Sequence, residues 1–246
     1  LFTERGYQMF QKLIAYGRAE LIHQKNDYSF YRYRDGLMAR SMSLSFSFKH
    51  NPQQFIEEVV FHFNPQGKIE SLSFALSDHA LRSIADKRVW PAFDRMVLVN
   101  FLEHYKTAYA LKRLDYIESI FADDALIITG YVVKTENLPD RAYSNNQIVR
   151  YNRRSRQEYI GNLKHCFQTK EYINIQFEQS RIRRAGNDQD IYGIQIKQNY
   201  YSSNYGDQGW LFLMVDLNNH SRPVIHVRTW QPTNGKNIHV YGLENF

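Results

Sequence analysis

The stretch GWLFLMVDLNNHSRPVIHVRTW, Gly209 to Trp230, decides the fold. It reads as an apolar strand, a turn opening on Asn218, and a returning strand. A second stretch, FIEEVVFHFNPQGKIESLSFA, Phe55 to Ala75, has the same layout, with Asn64 at its turn. Before each lies another strand rich in aromatic or β-branched residues, and before that an amphipathic helix. The shared order implies two copies of one folding unit, the first lacking its beginning. The alternative is an unrelated α+β domain whose hairpins look similar by chance.

Outward from these hairpins the chain divides into a partial module (1–77), a helical linker (78–91), a main domain (92–232) and a tail (233–246). Thr3 caps a helix carrying Tyr7, Phe10, Leu13 and Ile14 on one side, and Gly17 stops it. Strands are predicted over 19–23, 28–33 and 37–48, with Asp35-Gly36 as a tight turn. Asp78 caps a short helix over 79–88. After Pro91 the series Phe93, Val97, Phe101, Tyr105, Tyr109 recurs at i+4, a broadly apolar helix that must lie against a sheet. A short helix over 114–121 and a strand over 125–133 follow. The polar run 134–152, with Pro139, Asn145 and Asn146, reads as an exposed loop or flap. Ser155 and Glu158 form a capping box for the next helix. Strands over 172–183, 190–201, 210–217 and 223–230 complete the domain, and the tail has no clear element.

Hydrophobic residues make up 43% of the 246, enough for a core, so bulk disorder is excluded. Aromatics reach 15%, with 18 Tyr, which suits half-wet sheet faces or a cleft. A net charge of +6 neither requires nor excludes an acidic partner. The single Cys166 excludes an intrachain disulfide, and its apolar neighbours Tyr159, Ile160, Leu163 and Phe167 make it a packing residue. No apolar run is long enough to span a membrane. The chain opens on Leu1 rather than Met, so a removed native start is the expectation.

The strand from Trp210 is apolar on both faces, Trp210, Phe212 and Met214 on one and Leu211, Leu213, Val215 and Leu217 on the other. Something must cover the second set. Two sheets packed on each other, or a homodimer through sheet faces, would do so; Val59, Val60 and Phe61 raise the same need.

The run RLDYIESIFADDALIITG, Arg113 to Gly130, resembles the opening of SnoaL-like domains of the nuclear transport factor 2-like superfamily, and VIHVRTWQP resembles the closing strand. The resemblance covers about 92–232. It implies an α+β fold in which a curved antiparallel sheet wraps around helices as a cone, with a pocket at the open end. In that family Asp, His or Tyr in the cone moves protons beside a carbonyl, and dimers form through sheets. The chain also resembles uncharacterised bacterial proteins held to be exported, which implies a periplasmic or secreted location.

Candidate residues follow from this frame. His226 and Arg228 share a face of the last strand with Val224 and Trp230; facing inward, His226 is a base and Arg228 an anion holder. Facing outward, both are surface residues. Tyr105 and Tyr109 lie one helical turn apart, and a Tyr there can donate to an oxyanion or simply pack. Asp123-Asp124 reads as a turn element. The segment YYSSNYGDQGW, which holds Tyr200, Tyr205, Asp207 and Trp210, has the aromatic and amide chemistry of a stacking site or of an ordinary hairpin. Arg150, Arg153, Arg154 and Arg156, with Arg181, Arg183 and Arg184, offer phosphate contacts but no nucleic-acid motif, so a solvated loop is the better reading. No metal-ligand spacing, phosphate loop or nucleophile elbow occurs, and no cofactor is implied. The functional expectation is a non-enzymatic module that binds a small molecule, glycan or peptide. The alternative is a small isomerase or dehydratase acting on a carbonyl compound through His226 and a helix Tyr.

Overall fold

The computed structural model describes residues 1–22, 29–85, 91–134, 147–186, 190–233 and 239–246. The ends of the strands predicted at 23 and 28, the end of the helix predicted over 79–88, and Pro139, Asn145 and Asn146 lie outside the described residues.

The first unit opens with α1 (Glu4–Tyr16), capped by Thr3, whose Oγ1 accepts from the Gly6 amide. Then come β1 (Arg18–Leu21), β2 (Ser29–Tyr33), β3 (Gly36–Ser47), β4 (Gln54–Phe63) and β5 (Ile69–Phe74). They form one antiparallel sheet in the order β1-β3-β4-β5, with β2 paired to β3. The β2–β3 turn is centred on Arg34-Asp35, not on Asp35-Gly36, because Gly36 already pairs with Tyr33. Glycine is needed there for a different reason: a Cβ would collide with the Phe63 carbonyl. Met9 and Leu13 of α1 pack on Phe46, Phe55, Val59 and Phe74 of the sheet.

The second unit follows α2 (Asp78–Ala85). Helices α3 (Ala92–Ala110), α4 (Leu114–Ser119) and α5 (Arg156–Thr169) accompany β6 (Phe121–Lys134), β7 (Gln147–Arg154), β8 (Ile173–Ala185), β9 (Ile191–Ser202), β10 (Tyr205–Asp216) and β11 (Val224–Pro232). The strand order is β7-β6-β11-β10-β9-β8, so the two Gly209–Trp230 strands lie at the sheet centre. The β11–β6 pair is parallel, which makes this sheet mixed rather than purely antiparallel. Residues 147–154 form an edge strand on β6 rather than part of a loop, and Arg150, Arg153 and Arg154 stand on it. Asp123 and Asp124 lie within β6, where Asp123 accepts from Arg156 at 3.0 Å. Arg156 opens α5, behind the Ser155–Glu158 capping box.

Helix α3 is buried on more than one side because it lies between the two sheets. Phe101, Tyr105 and Tyr109 join the core of the six-stranded sheet. Glu103, Lys106 and Thr107 meet the first unit: Glu103 takes Arg40 at 2.8 Å, Lys106 takes Glu57 at 2.8 Å, and Thr107 Oγ1 accepts from the Phe74 amide at 2.7 Å. On β10, Leu211, Leu213 and Val215 join the core with the helices, and Phe212 stands on the opposite face. The tail returns over it, with Phe246 stacked on Phe212 at 5.6 Å and Leu243 against Gly193. Gln231 holds the tail by accepting from the Tyr241 amide and donating to the His239 carbonyl. No helix is long and apolar enough to cross a membrane among the described residues.

Candidate functional site

Cross-strand register decides which side chains of the six-stranded sheet face its helices, on the side called the cone. Leu211, Leu213 and Val215 belong to its core, and Leu211 pairs with Trp230 and Leu213 with Arg228. Arg228 and Trp230 therefore point inward. Simple alternation would carry His226 with them, but β11 bulges between Ile225 and Val227 and His226 is the extra residue. Its Nε2 lies 3.6 Å from Asp216 Oδ2, and Asp216 shares the outer face with Met214. His226 and Arg228 thus occupy opposite faces, which removes His226 from any chemistry inside the cone.

Arg228 is buried, and its surroundings are tyrosines. Its Nε donates to Tyr105 Oη at 3.1 Å, and its guanidinium carbon lies 5.0 Å from the Tyr159 ring centre. Tyr105 Oη lies 3.1 Å from Tyr109 Oη, which lies 2.5 Å from Tyr159 Oη. Tyr105 and Tyr109 meet because they are one turn apart on α3, and Tyr159 comes across from α5. Burial pushes the Tyr159 phenol up to about 12, against the opposing pull of Arg228. Burial also holds Tyr109 well above its ordinary value. Both are neutral hydroxyls at neutral pH, while the guanidinium stays charged. Among the described residues no carboxylate pairs with Arg228. Its two Nη nitrogens make no hydrogen bond there, and neither is sealed from solvent.

More polar groups share this face. Trp230 Nε1 donates to Asp207 Oδ2 at 3.2 Å, and Tyr205 Oη donates to the same oxygen at 2.8 Å. Burial, followed by Asp207, raises the Tyr205 phenol to about 12. Gln198 pairs with Gly209, in step with Leu211, and is buried with Oε1 unpartnered. Phe177 stacks on Tyr105 at 6.3 Å. Tyr200 Oη lies 3.8 Å from Cys166 Sγ, and burial raises its phenol above the usual range.

Of the predicted residues, the fold brings Tyr105, Tyr109, Arg228 and Trp230 together. Tyr200 lines the same interior toward α5, and Tyr205 is exposed at the hairpin end, tied to Asp207. Trp210 stands on the opposite face beside Arg181 and Arg183, because it pairs with Gln231 rather than Trp230. Tyr159 entered the sequence reading only as part of an apolar stripe, and Gln198 not at all. Gln198 is visible once β9 is in register with β10, opposite Gly209; Tyr159 comes from α5, which no strand register marks. Among the described residues no cluster of three or more His, Cys, Asp or Glu is placed to hold a metal.

No family model matches the sequence, and no curated protein does. Solved structures match in shape. Bd1075 of Bdellovibrio bacteriovorus aligns over 91% of this chain and 95% of its own, with 12% identity and a TM-score of 0.43. Naphthalene 1,2-dioxygenase with indole in its active site aligns over 68% and 93%, with 9% identity and a TM-score of 0.44. ActVI-ORFA of Streptomyces coelicolor aligns over 56% and 95%, with 8% identity and a TM-score of 0.37. The fold seen here is α+β: a mixed six-stranded sheet packed on helices beside a five-stranded antiparallel sheet. No residue role passes from these structures to this chain.

Proposed function

We propose that the cone takes up a small carbonyl compound and moves a proton beside its carbonyl, an isomerase- or dehydratase-type reaction. The observation that carries this is Arg228, a buried cation with no carboxylate among the described residues and unused Nη donors. A cation held by neutral hydroxyls keeps its full attraction for negative charge that develops on a substrate oxygen. In this reading Arg228 holds the enolate oxygen, and Tyr105 orients the guanidinium through Nε. Asp207, held by Trp230 Nε1, stands six residues along β10 from Leu213, the strand partner of Arg228, so its backbone is roughly 20 Å away and no carboxylate base is assigned. A solvent-borne base removes an α-proton, the electron pair moves onto the carbonyl oxygen beside Arg228, and the proton returns at another carbon or leaves with a β-hydroxyl as water.

One observation favours a pocket without chemistry: the hydroxyls of Tyr105, Tyr109 and Tyr159 are already bonded to one another. Deuterium exchange decides between the two. A panel of cyclic diketones and β-hydroxyketones is incubated with the protein in D₂O and followed by proton NMR. Exchange at the α-carbon that disappears in Arg228→Met supports the enzyme. Saturable binding without exchange leaves only the non-enzymatic pocket, and neither binding nor exchange removes both.

A further inference from the structure

A cleft of about 310 Å³ lies beside α3, where the first unit meets the second. That is the low end of the size of ligand sites. Arg5 of α1, Arg34 of the β2–β3 turn and Arg222 of the β10–β11 loop all line it. Among its described lining residues only Glu70 carries a negative charge. Arg34 has φ 51°, a left-handed backbone that costs a side-chain-bearing residue energy. From there its Nη2 donates to the His220 carbonyl at 2.8 Å, and its guanidinium lies 5.3 Å from the Tyr33 ring centre. The turn of one unit is thereby latched to a loop of the other. His220 is fixed in turn, with Nε2 2.9 Å from Oδ1 of the buried Asp94.

Deeper in the cleft, His62 and His104 have ring centres 5.1 Å apart. Around them stand Ser73, Tyr33 and Tyr116, and the charges of Arg5, Arg34, Arg40 and Arg113 act on them. Burial comes first for both, followed by Arg40 and Arg34 for His62, and by His62 and then Arg113, Arg5 and Arg34 for His104, and this holds both imidazoles neutral. Asn100 lines the same space, and its Oδ1 is sealed from solvent without a donor. A buried acceptor left unpaired is unfavourable, and once the Asn100 amide turns toward the cleft a ligand hydroxyl would supply the missing donor. The walls between these polar groups are the rings of Tyr33, Phe101 and Tyr116.

We propose that this cleft binds a small hydroxylated aromatic acid, its anionic group at Arg5 and Arg222, its ring between Tyr33, Phe101 and Tyr116, and its hydroxyl at Asn100. No residue argued for the cone chemistry belongs to it, so the two sites stand or fall separately.

Calorimetric titration of the full chain with para-hydroxybenzoate, benzoate and inorganic phosphate tests this. The para-hydroxy acid should bind saturably at one site, with benzoate about tenfold weaker for want of the hydroxyl. Arg222→Gln and Arg5→Gln, changes at exposed positions, should each weaken binding by about tenfold, the usual effect of losing a charge-assisted hydrogen bond. Arg228→Met should leave it unchanged. The proposal is overturned by absence of saturable heat at millimolar para-hydroxybenzoate, by equal affinity for benzoate or phosphate, or by binding that ignores both arginine changes. Loss in Arg228→Met alone would also overturn it, because the acid would then be in the cone.

Discussion

Helix α3 separates two regions that treat a buried cation in opposite ways. Toward the first unit, Lys106 donates to Glu57 at 2.8 Å and to the Ala75 carbonyl at 3.0 Å, and Arg40 meets both oxygens of Glu103. Asn174 donates to the other oxygen of Glu57. Each of these buried charges has an opposite partner, and the two carboxylates take added hydrogen bonds, the arrangement that makes a buried ion pair tolerable. Toward the cone, Arg228 meets hydroxyls and a ring. The lesson is about availability. A paired cation has its field cancelled and serves packing; an unpaired one keeps its field for a ligand.

The largest expected effect follows from that contrast. Lys106→Met leaves Glu57 buried without its cation and should cost about 3–5 kcal/mol in urea unfolding. Arg228→Met removes a charge that no carboxylate balances among the described residues, so its unfolding free energy should stay level or rise by about 1 kcal/mol. Equal losses in the two variants would break the comparison and make Arg228 a structural cation.

These two faces were not equally legible in the chain. The hairpins, the cap at Thr3 and the capping box at Ser155 depend on neighbours in sequence, and the residues state them directly. The i+4 series from Phe93 also announced a helix covered by apolar partners. The inward face of β11 was hidden because one bulged residue, His226, reverses the alternation for half the strand. The cover over Phe212 was hidden because Phe246 reaches it from a tail with no period of its own. The ion pairs on α3 join residues far apart in the chain, Glu57 with Lys106 and Arg40 with Glu103, and no local spacing marks them.

The next effect in size sharpens the comparison through pH. His62 sits on the first-unit side, and burial, then Arg40 and Arg34, lower its pKa to about 4. The unfolded chain binds a proton near 6.5 while the folded chain does not, so stability is full above about 6.5 and falls as pH drops toward about 4, by about 3 kcal/mol for this group. His104 acts in the same direction. Unfolding measured across that window should slope less in His62→Gln than in the parent chain. Parallel slopes would mean that His62 is protonated in the folded state and that the first-unit side is less well neutralised than its ion pairs imply.

The smallest effect tests whether the hydroxyl chain serves the fold or the arginine. Tyr159→Phe removes the end of the chain, leaving Tyr109 Oη still within 3.1 Å of Tyr105 Oη. Because one partner remains, the expected loss is the net value of a hydrogen bond, about 1 kcal/mol, with no buried donor orphaned. The ring stays beneath the guanidinium, so Arg228 keeps its cation–π contact and its Nε bond to Tyr105. Stability should therefore fall slightly while any ligand held by the Nη donors binds as before. A loss of ligand binding with unchanged stability would reverse the assignment, placing the Tyr159 hydroxyl on the ligand and leaving Arg228 as the group that positions it.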